Sequence, residues 1–293
     1  MMSCASSTNV AAPSILLMNV RSLRNKTDEL HAVSSVLCTD IIAITESWLN
    51  DDTPDNEVKI PHYCTPFRQD RHDRLGGGVC CYVHKDTSCS QLEMLTQKPP
   101  SIECLWLKFP KFKIVLAVLY IPPSLSSIQY SEIRDYIIVS ADIAMDSVQD
   151  GRLILLGDFN RMDTRDLESS LDVEQIVREA TRGEATLDLI FLDSDMKDRY
   201  HDPVIGPHLG SSDHMSVLLR PLTMVSRTVS VHKVVDYRKS SLDLIWHNIS
   251  QLPWHKWYRS DLSVSMINEL YYGEILSYFI DYSKNCSSLK TWS

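Results

Sequence analysis

Between residues 14 and 219 the chain alternates short β-branched apolar runs with stretches of helical periodicity, and Gly, Pro or Asp residues punctuate the joins. Six runs, at residues 15–18, 41–44, 79–83, 114–119, 153–156 and 187–191, have the length and composition of strands. Most are apolar at successive rather than alternate positions, so both faces must be covered, as in central strands lying between layers. Residues 27–37 place Leu30, Val33 and Leu37 at helical spacing behind Asp28 and Glu29, which suit a helix N-terminus. Residues 126–148 repeat that pattern with Ile133, Ile137, Ala141 and Ala144. Strands interleaved with helices predict an α/β fold with buried sheets.

After Pro221 the strand pattern stops, Trp246, Trp254, Trp257 and Trp292 appear, and residues 262–282 read as an amphipathic helix carrying Met266, Leu270, Leu276 and Ile280. A domain boundary is expected near residue 221, and residues 1–13, rich in Ser and Ala, form a flexible N-terminus.

Composition adds limits. With 44% hydrophobic residues the chain can bury a substantial core. A formal charge of −9 argues against a surface that binds nucleic acid everywhere, yet permits a nest of carboxylates around a divalent cation beside a local basic rim. The eight cysteines show no C-x-x-C spacing, and several fall inside apolar runs, so they read as reduced intracellular thiols. The start lacks a secretory signal, and no window approaches the roughly 18 uninterrupted apolar residues of a membrane span. A soluble protein is expected.

The candidate chemistry lies just beyond the buried runs, where layered α/β folds gather their ligands. Asn19 follows the first run and Thr45-Glu46 the second; Tyr120 closes the fourth; Gly157-Asp158-Phe159-Asn160 follows the fifth; Ser212-Asp213-His214 comes after Gly210. Singly, each is an ordinary turn residue. Jointly, two amides, several carboxylates, a phenol and an imidazole are the parts needed to hydrolyse a phosphate ester with a hard cation.

The ordered set Asn19-Val20-Arg21-Ser22, Thr45-Glu46-Ser47-Trp48-Leu49, Gly76-Gly77-Gly78-Val79, Tyr120-Ile121-Pro122-Pro123, Gly157-Asp158-Phe159-Asn160, Thr186-Leu187-Asp188-Leu189-Ile190 and Ser212-Asp213-His214 resembles the endonuclease domain of non-LTR (LINE-type) retrotransposons. That domain is similar to abasic-site repair endonucleases and to DNase I, within the endonuclease/exonuclease/phosphatase superfamily. The resemblance covers about residues 14–220 and implies a four-layered α/β sandwich, two packed mixed sheets flanked by helices, with the site at one edge.

The resemblance also implies roles. Glu46 is the expected principal Mg²⁺ ligand, with Mn²⁺ as the alternative metal, assisted by Asn19 and Asp213. His214 contacts the scissile phosphate as general base or electrostatic stabiliser, oriented by Asp188. Asp158 and Asn160 position the attacking water and bind phosphate, and Tyr120 donates to a phosphate oxygen. No small-molecule cofactor is implied. The products would be a 3′-hydroxyl, which primes reverse transcription in a retrotransposon, and a 5′-phosphate. One departure concerns Arg21: repair enzymes often carry an acidic residue there, which leaves metal binding to lean on Glu46 and Asp213, with Arg21 available to a DNA phosphate.

The glycine run at 76–78 has no following Lys-Ser/Thr and leads into a strand, so it is read as a tight turn rather than a phosphate loop. Arg68, Arg71, Arg74 and Lys85 around it form either a basic rim for DNA or a solvated charged loop. Residues 221–293 resemble the helical connector towards a reverse transcriptase, which is absent, so a truncated element is expected. The favoured reading is an intracellular, nuclear endonuclease acting on double-stranded DNA. A repair-type abasic endonuclease or a phosphatase of a smaller ester is the alternative within the fold, and an inactive relic acting at most as a binding module is the alternative outside it.

Overall fold

The computed structural model describes residues 11–72, 74, 76–93 and 96–223. The chain divides into two compact units, Met1–Val225 and Ser226–Ser293. Every described residue belongs to the first, so the four late tryptophans and the helix expected at 262–282 lie outside the described residues.

The first unit is two six-stranded sheets packed face to face. Strands β1 (Ile15–Asn19), β2 (Ile41–Thr45), β3 (Phe67–Gln69), β4 (Val79–Val83), β11 (Val204–Gly206) and β12 (Ser216–Leu219) form the first sheet, in the order β11-β12-β1-β2-β4-β3. Strands β5 (Ser90–Leu92), β6 (Glu103–Phe109), β7 (Ile114–Tyr120), β8 (Arg152–Asp158), β9 (Val173–Gln175) and β10 (Asp188–Asp193) form the second, in the order β5-β6-β7-β8-β10-β9. Each sheet is centred on one parallel pair, β1 with β2 and β7 with β8, flanked by antiparallel neighbours. A parallel pair needs a long crossover, supplied here by helix α1 (Thr27–Leu37) and helix α2 (Ser127–Asp146).

The period of two in a strand distributes the apolar residues among three cores. Ile15, Leu17, Ile41, Ala43, Leu116, Val118, Ile154 and Leu156 point into the layer between the sheets. Their neighbours Leu16, Met18, Ile42 and Ile44 pack under α1, while Val115, Ala117, Leu153 and Leu155 pack under α2 and the short helix α3 (Arg165–Leu171). The result is helix, sheet, sheet, helix. That is why the strand runs are apolar throughout, and it is the four-layered sandwich expected from the sequence. Both expected helices are present, α2 beginning with a capping box between Ser126 and Gln129 and burying Ile133, Ile137, Ala141 and Ala144. Among the described residues no helix is long and apolar enough to cross a membrane, and Cys64, Cys80, Cys81, Cys89 and Cys104 are free thiols.

Candidate active site

The same alternation that builds the inter-sheet core ends it in polar groups. Asn19 continues the inward series of Ile15 and Leu17, Thr45 that of Ile41 and Ala43, Tyr120 that of Leu116 and Val118, Asp158 that of Ile154 and Leu156, and Asp188 that of Ile190 and Leu192. Strand pairing then aligns them: Glu103 opposes Tyr120, Tyr120 opposes Asp158, and Asp158 opposes Asp188, a polar row across one end of the second sheet. In the first sheet Asn19 opposes Thr45. The two ends meet where the Asn19 Nδ2 donates to Asp158 Oδ2 at 2.9 Å and to Glu46 Oε1 at 3.1 Å.

Asp158 is fully buried. It accepts from Asn19 and, through Oδ1, from the Asn160 amide at 3.0 Å. Burial first, and then the charge of Asp188, push its carboxyl up to about 7 against the pull of His214 and these donors. Asn160 is held from behind, its Nδ2 donating to the Ile121 carbonyl at 2.9 Å.

His214 and Asp188 are a buried pair, with Nδ1 and Oδ2 2.7 Å apart and side chains only 2% and 1% exposed. A carboxylate can only accept, so Nδ1 carries the proton and Nε2 is the nitrogen left for a substrate. Burial lowers the imidazole's proton affinity, but the bond and charge of Asp188, with Asp158 beyond, outweigh it and raise the value. The pair is framed by hydroxyls. Thr181 Oγ1 accepts from the amides of Leu187 and Asp188, and Ser212 Oγ donates to the Asn19 carbonyl at 2.6 Å while accepting from the His214 amide.

Glu46 sits just beyond β2, half-buried, and its Oε2 accepts from the Trp48 indole at 3.1 Å. Glu46 (φ 51°) and Asn160 (φ 49°) both occupy the left-handed region, where strained non-glycine residues gather at functional sites. The glycines at 76–78, all at positive φ, make the tight turn expected of them, and the carbonyls of Gly77 and Gly78 accept from the amides of Trp48 and Ser47, pinning the Glu46 loop.

The structure thus brings together Asn19, Glu46, Asp158, Asn160, Asp188, His214 and Tyr120. Asp213 lies next to His214 but is held by Arg182, whose Nε and Nη2 reach Oδ2 at 2.9 and 2.7 Å, with Arg21 Nη1 3.9 Å from Oδ1. Arg182 therefore engages Oδ2, and Oδ1 is the oxygen open to a metal. The rim formed by Arg68 and Arg71 is corrected: neither is a rim or a solvated residue. Arg68 is half-buried and paired with Asp55 and Asp70, and Arg71 pairs bidentately with Glu103. Arg74 and Lys85 are exposed. Sequence reasoning missed Glu103, Arg182, Thr181 and Trp48's bond to Glu46. The signal for Glu103 was its place at the head of an apolar run, where an antiparallel strand starts at the end of the sheet at which Tyr120 and Asp158 finish theirs.

Asp158, Asp188 and His214 are the one group of three His, Cys, Asp or Glu ligand atoms close enough to hold a metal among the described residues, all within 4.8 Å. His214 Nδ1 is already bonded to Asp188, so this trio is a dyad beside a carboxylate. The Glu46 carboxylate is a hard donor joined through the Asn19 Nδ2 to buried Asp158, the Asn19 amide oxygen accepts from the Arg21 amide at 3.1 Å, and Asp188 Oδ1 has no hydrogen-bond partner among the described residues. That donor set and excess of negative charge fit a hard divalent cation, which takes oxygen ligands and keeps several waters.

The sequence model of the Endonuclease/Exonuclease/phosphatase family matches residues 16–214. No curated protein matches the chain. The fold is similar to the endonuclease domain of TRAS1, a telomere-specific non-LTR retrotransposon, at 17% identity and TM-score 0.52 over 71% of this chain and 97% of that one. It is similar to an AP endonuclease from Leishmania major at 14% identity and TM-score 0.57, over 70% and 86% of the two chains. It also resembles the 3′ phosphatase NExo from Neisseria bound to a product DNA hairpin, at 14% identity and TM-score 0.54, over 72% and 99%. The ordered motifs, the paired sheets and the matched family model agree, and the chain belongs to the Endonuclease/Exonuclease/phosphatase family.

Proposed function

We propose that this protein is a Mg²⁺-dependent endonuclease that nicks double-stranded DNA, leaving the 3′-hydroxyl from which a non-LTR retrotransposon primes reverse transcription. The observation that carries the reading is the buried His214–Asp188 pair set beside the Asn19–Asp158–Asn160 chain, with half-buried Glu46 joined to Asn19. The order of motifs favours intact DNA over the abasic strand, and the similar structures include both a retrotransposon endonuclease domain and an AP endonuclease. On this reading the substrate is chromosomal DNA and the site of action the nucleus.

Glu46 would hold the cation, with the Asn19 amide oxygen joining it if the amide turns over from its bond to the Arg21 N–H, and Asp213 through Oδ1, the oxygen Arg182 does not hold. Bound Mg²⁺ supplies charge neutralisation and polarisation at the phosphate. Asp158, lifted towards neutrality, is matched to accept a proton from the attacking water at pH 7, and Asn160 aims that water. The water oxygen bonds to phosphorus as the bond from phosphorus to the 3′ oxygen breaks, and the departing oxygen takes up a proton. His214, its proton affinity raised by Asp188, presents Nε2 to the phosphate as charge builds there, and Tyr120 donates to one of its oxygens.

Supercoiled plasmid incubated with the protein, with and without EDTA, beside oligonucleotides carrying an abasic site or a 3′-phosphate, tests this reading. Metal-dependent nicking of intact plasmid supports it. Cleavage confined to the abasic strand means a repair enzyme, release of the 3′-phosphate alone means a phosphatase, and no reaction on any of them means a relic.

A further inference from the structure

One buried charge pair at the site has no part in the scheme above. Arg71, in the loop between β3 and β4, reaches across to the second sheet and bonds Glu103 through Nε and Nη2, each at 2.7 Å, with side chains 8% and 7% exposed. Its guanidinium carbon lies 5.4 Å from the centre of the Tyr120 ring, inside cation–π range. Tyr120 and Glu103 are register partners in β7 and β6, so the pair stands against Tyr120 on the side opposite Asp158. Room has been left for it: a Cβ on Gly77 would come 2.3 Å from the Arg71 guanidinium carbon. A buried ion pair is a weak stabiliser relative to apolar packing, so stability alone is a poor account of this one.

We propose that Arg71, clamped by Glu103, is a positioning residue that fixes the Tyr120 ring, aims its hydroxyl at the scissile phosphate and strengthens it as a hydrogen-bond donor. This deepens the nuclease reading and rests on its assignment of Tyr120. Burial and the charges of Glu46, Asp158 and Glu103 all make the phenol hold its proton more tightly, which weakens it as a donor, and Arg71 is the cation acting against them. A positive charge over the ring withdraws electron density from it. The planar guanidinium also bonds Glu103 through two nitrogens, a geometry that lysine cannot reproduce.

The test is a double-mutant cycle on plasmid nicking. Arg71→Met with Glu103→Gln leaves no lone buried carboxylate, and Arg71→Lys keeps a charge but not the stacked plane; thermal melting of each checks folding. The expected result is a loss of kcat of roughly 3- to 30-fold in both at unchanged KM, the range a desolvated cation–π contact corresponds to. In a Tyr120→Phe background the same changes should have little further effect, because the hydroxyl they aim is gone. Losses that multiply with Tyr120→Phe, or a wild-type kcat in either variant while Tyr120→Phe alone is slow, overturn the proposal. A wild type that does not nick, or a Tyr120→Phe protein as fast as wild type, overturns the nuclease assignment of Tyr120 first and this inference with it.

Discussion

At Asp158 burial and charge pull against hydrogen bonding, and burial prevails. Its folded carboxyl lies near 7 and the unfolded one near 3.8, so the folded protein binds the extra proton. The stability this provides is fully present below about pH 4 and is lost as pH rises through 7. His214, also raised by folding, acts in the same direction from its ordinary 6.5 upward. Melting temperature measured in EDTA should therefore fall between pH 5 and 8, and Asp158→Asn should flatten that slope; a slope unchanged by the substitution contradicts the assignment. Asp188→Asn leaves the imidazole in place but removes the group that sets its tautomer, and should lower kcat by about 10²- to 10⁴-fold. Asn19, Glu46, Tyr120 and Asp158 were legible because each ends an apolar run, and His214 through the Ser212-Asp213-His214 motif. The Arg71–Glu103 pair was not, since its members are 32 positions apart and only the packing of two sheets joins them.

Elements decided by a long periodic pattern were readable and short ones were not. α1 and α2 lie where their buried faces predicted them, and β1, β2, β4, β7, β8 and β10 where apolar runs did. β6, with Glu103 and Lys108 near its ends, was missed, as were four-residue β12, seven-residue α3 and the three-residue edge strands, which offer too few positions for a period to show. The site depends most on the β7–β8 pairing that sets Tyr120 beside Asp158. At Gly157 (φ 146°) a Cβ would fall 1.8 Å from the Leu119 carbonyl oxygen. Gly157→Ala should therefore part these strands and depress both melting temperature and activity, whereas Leu116→Ala, between the sheets, should lower stability by about 2–5 kcal/mol. Activity that survives Gly157→Ala with an unchanged melt would show that the pairing is not needed.

For the whole molecule, the family match at 16–214 and near-complete coverage of the similar structures place the catalytic fold within the first compact unit. A protein ending at residue 223 should melt in one cooperative step and retain nicking; aggregation or loss of activity would mean that the second unit completes the fold. The fold class was legible from the sequence because strands buried on both faces demand covering layers. The loss of a basic rim at Arg68 and Arg71 was not, because a charged residue near a turn reads as exposed until its partners are located.

The most direct measurement is relaxation of supercoiled plasmid by wild type and by His214→Ala and Glu46→Ala proteins, prepared identically, followed by polymerase extension from the nicks. Metal-dependent nicking by wild type alone, with ends that a polymerase extends, is the expected result. Equal nicking by all three proteins, or none by wild type, contradicts the assignment of this site as a phosphodiesterase centre.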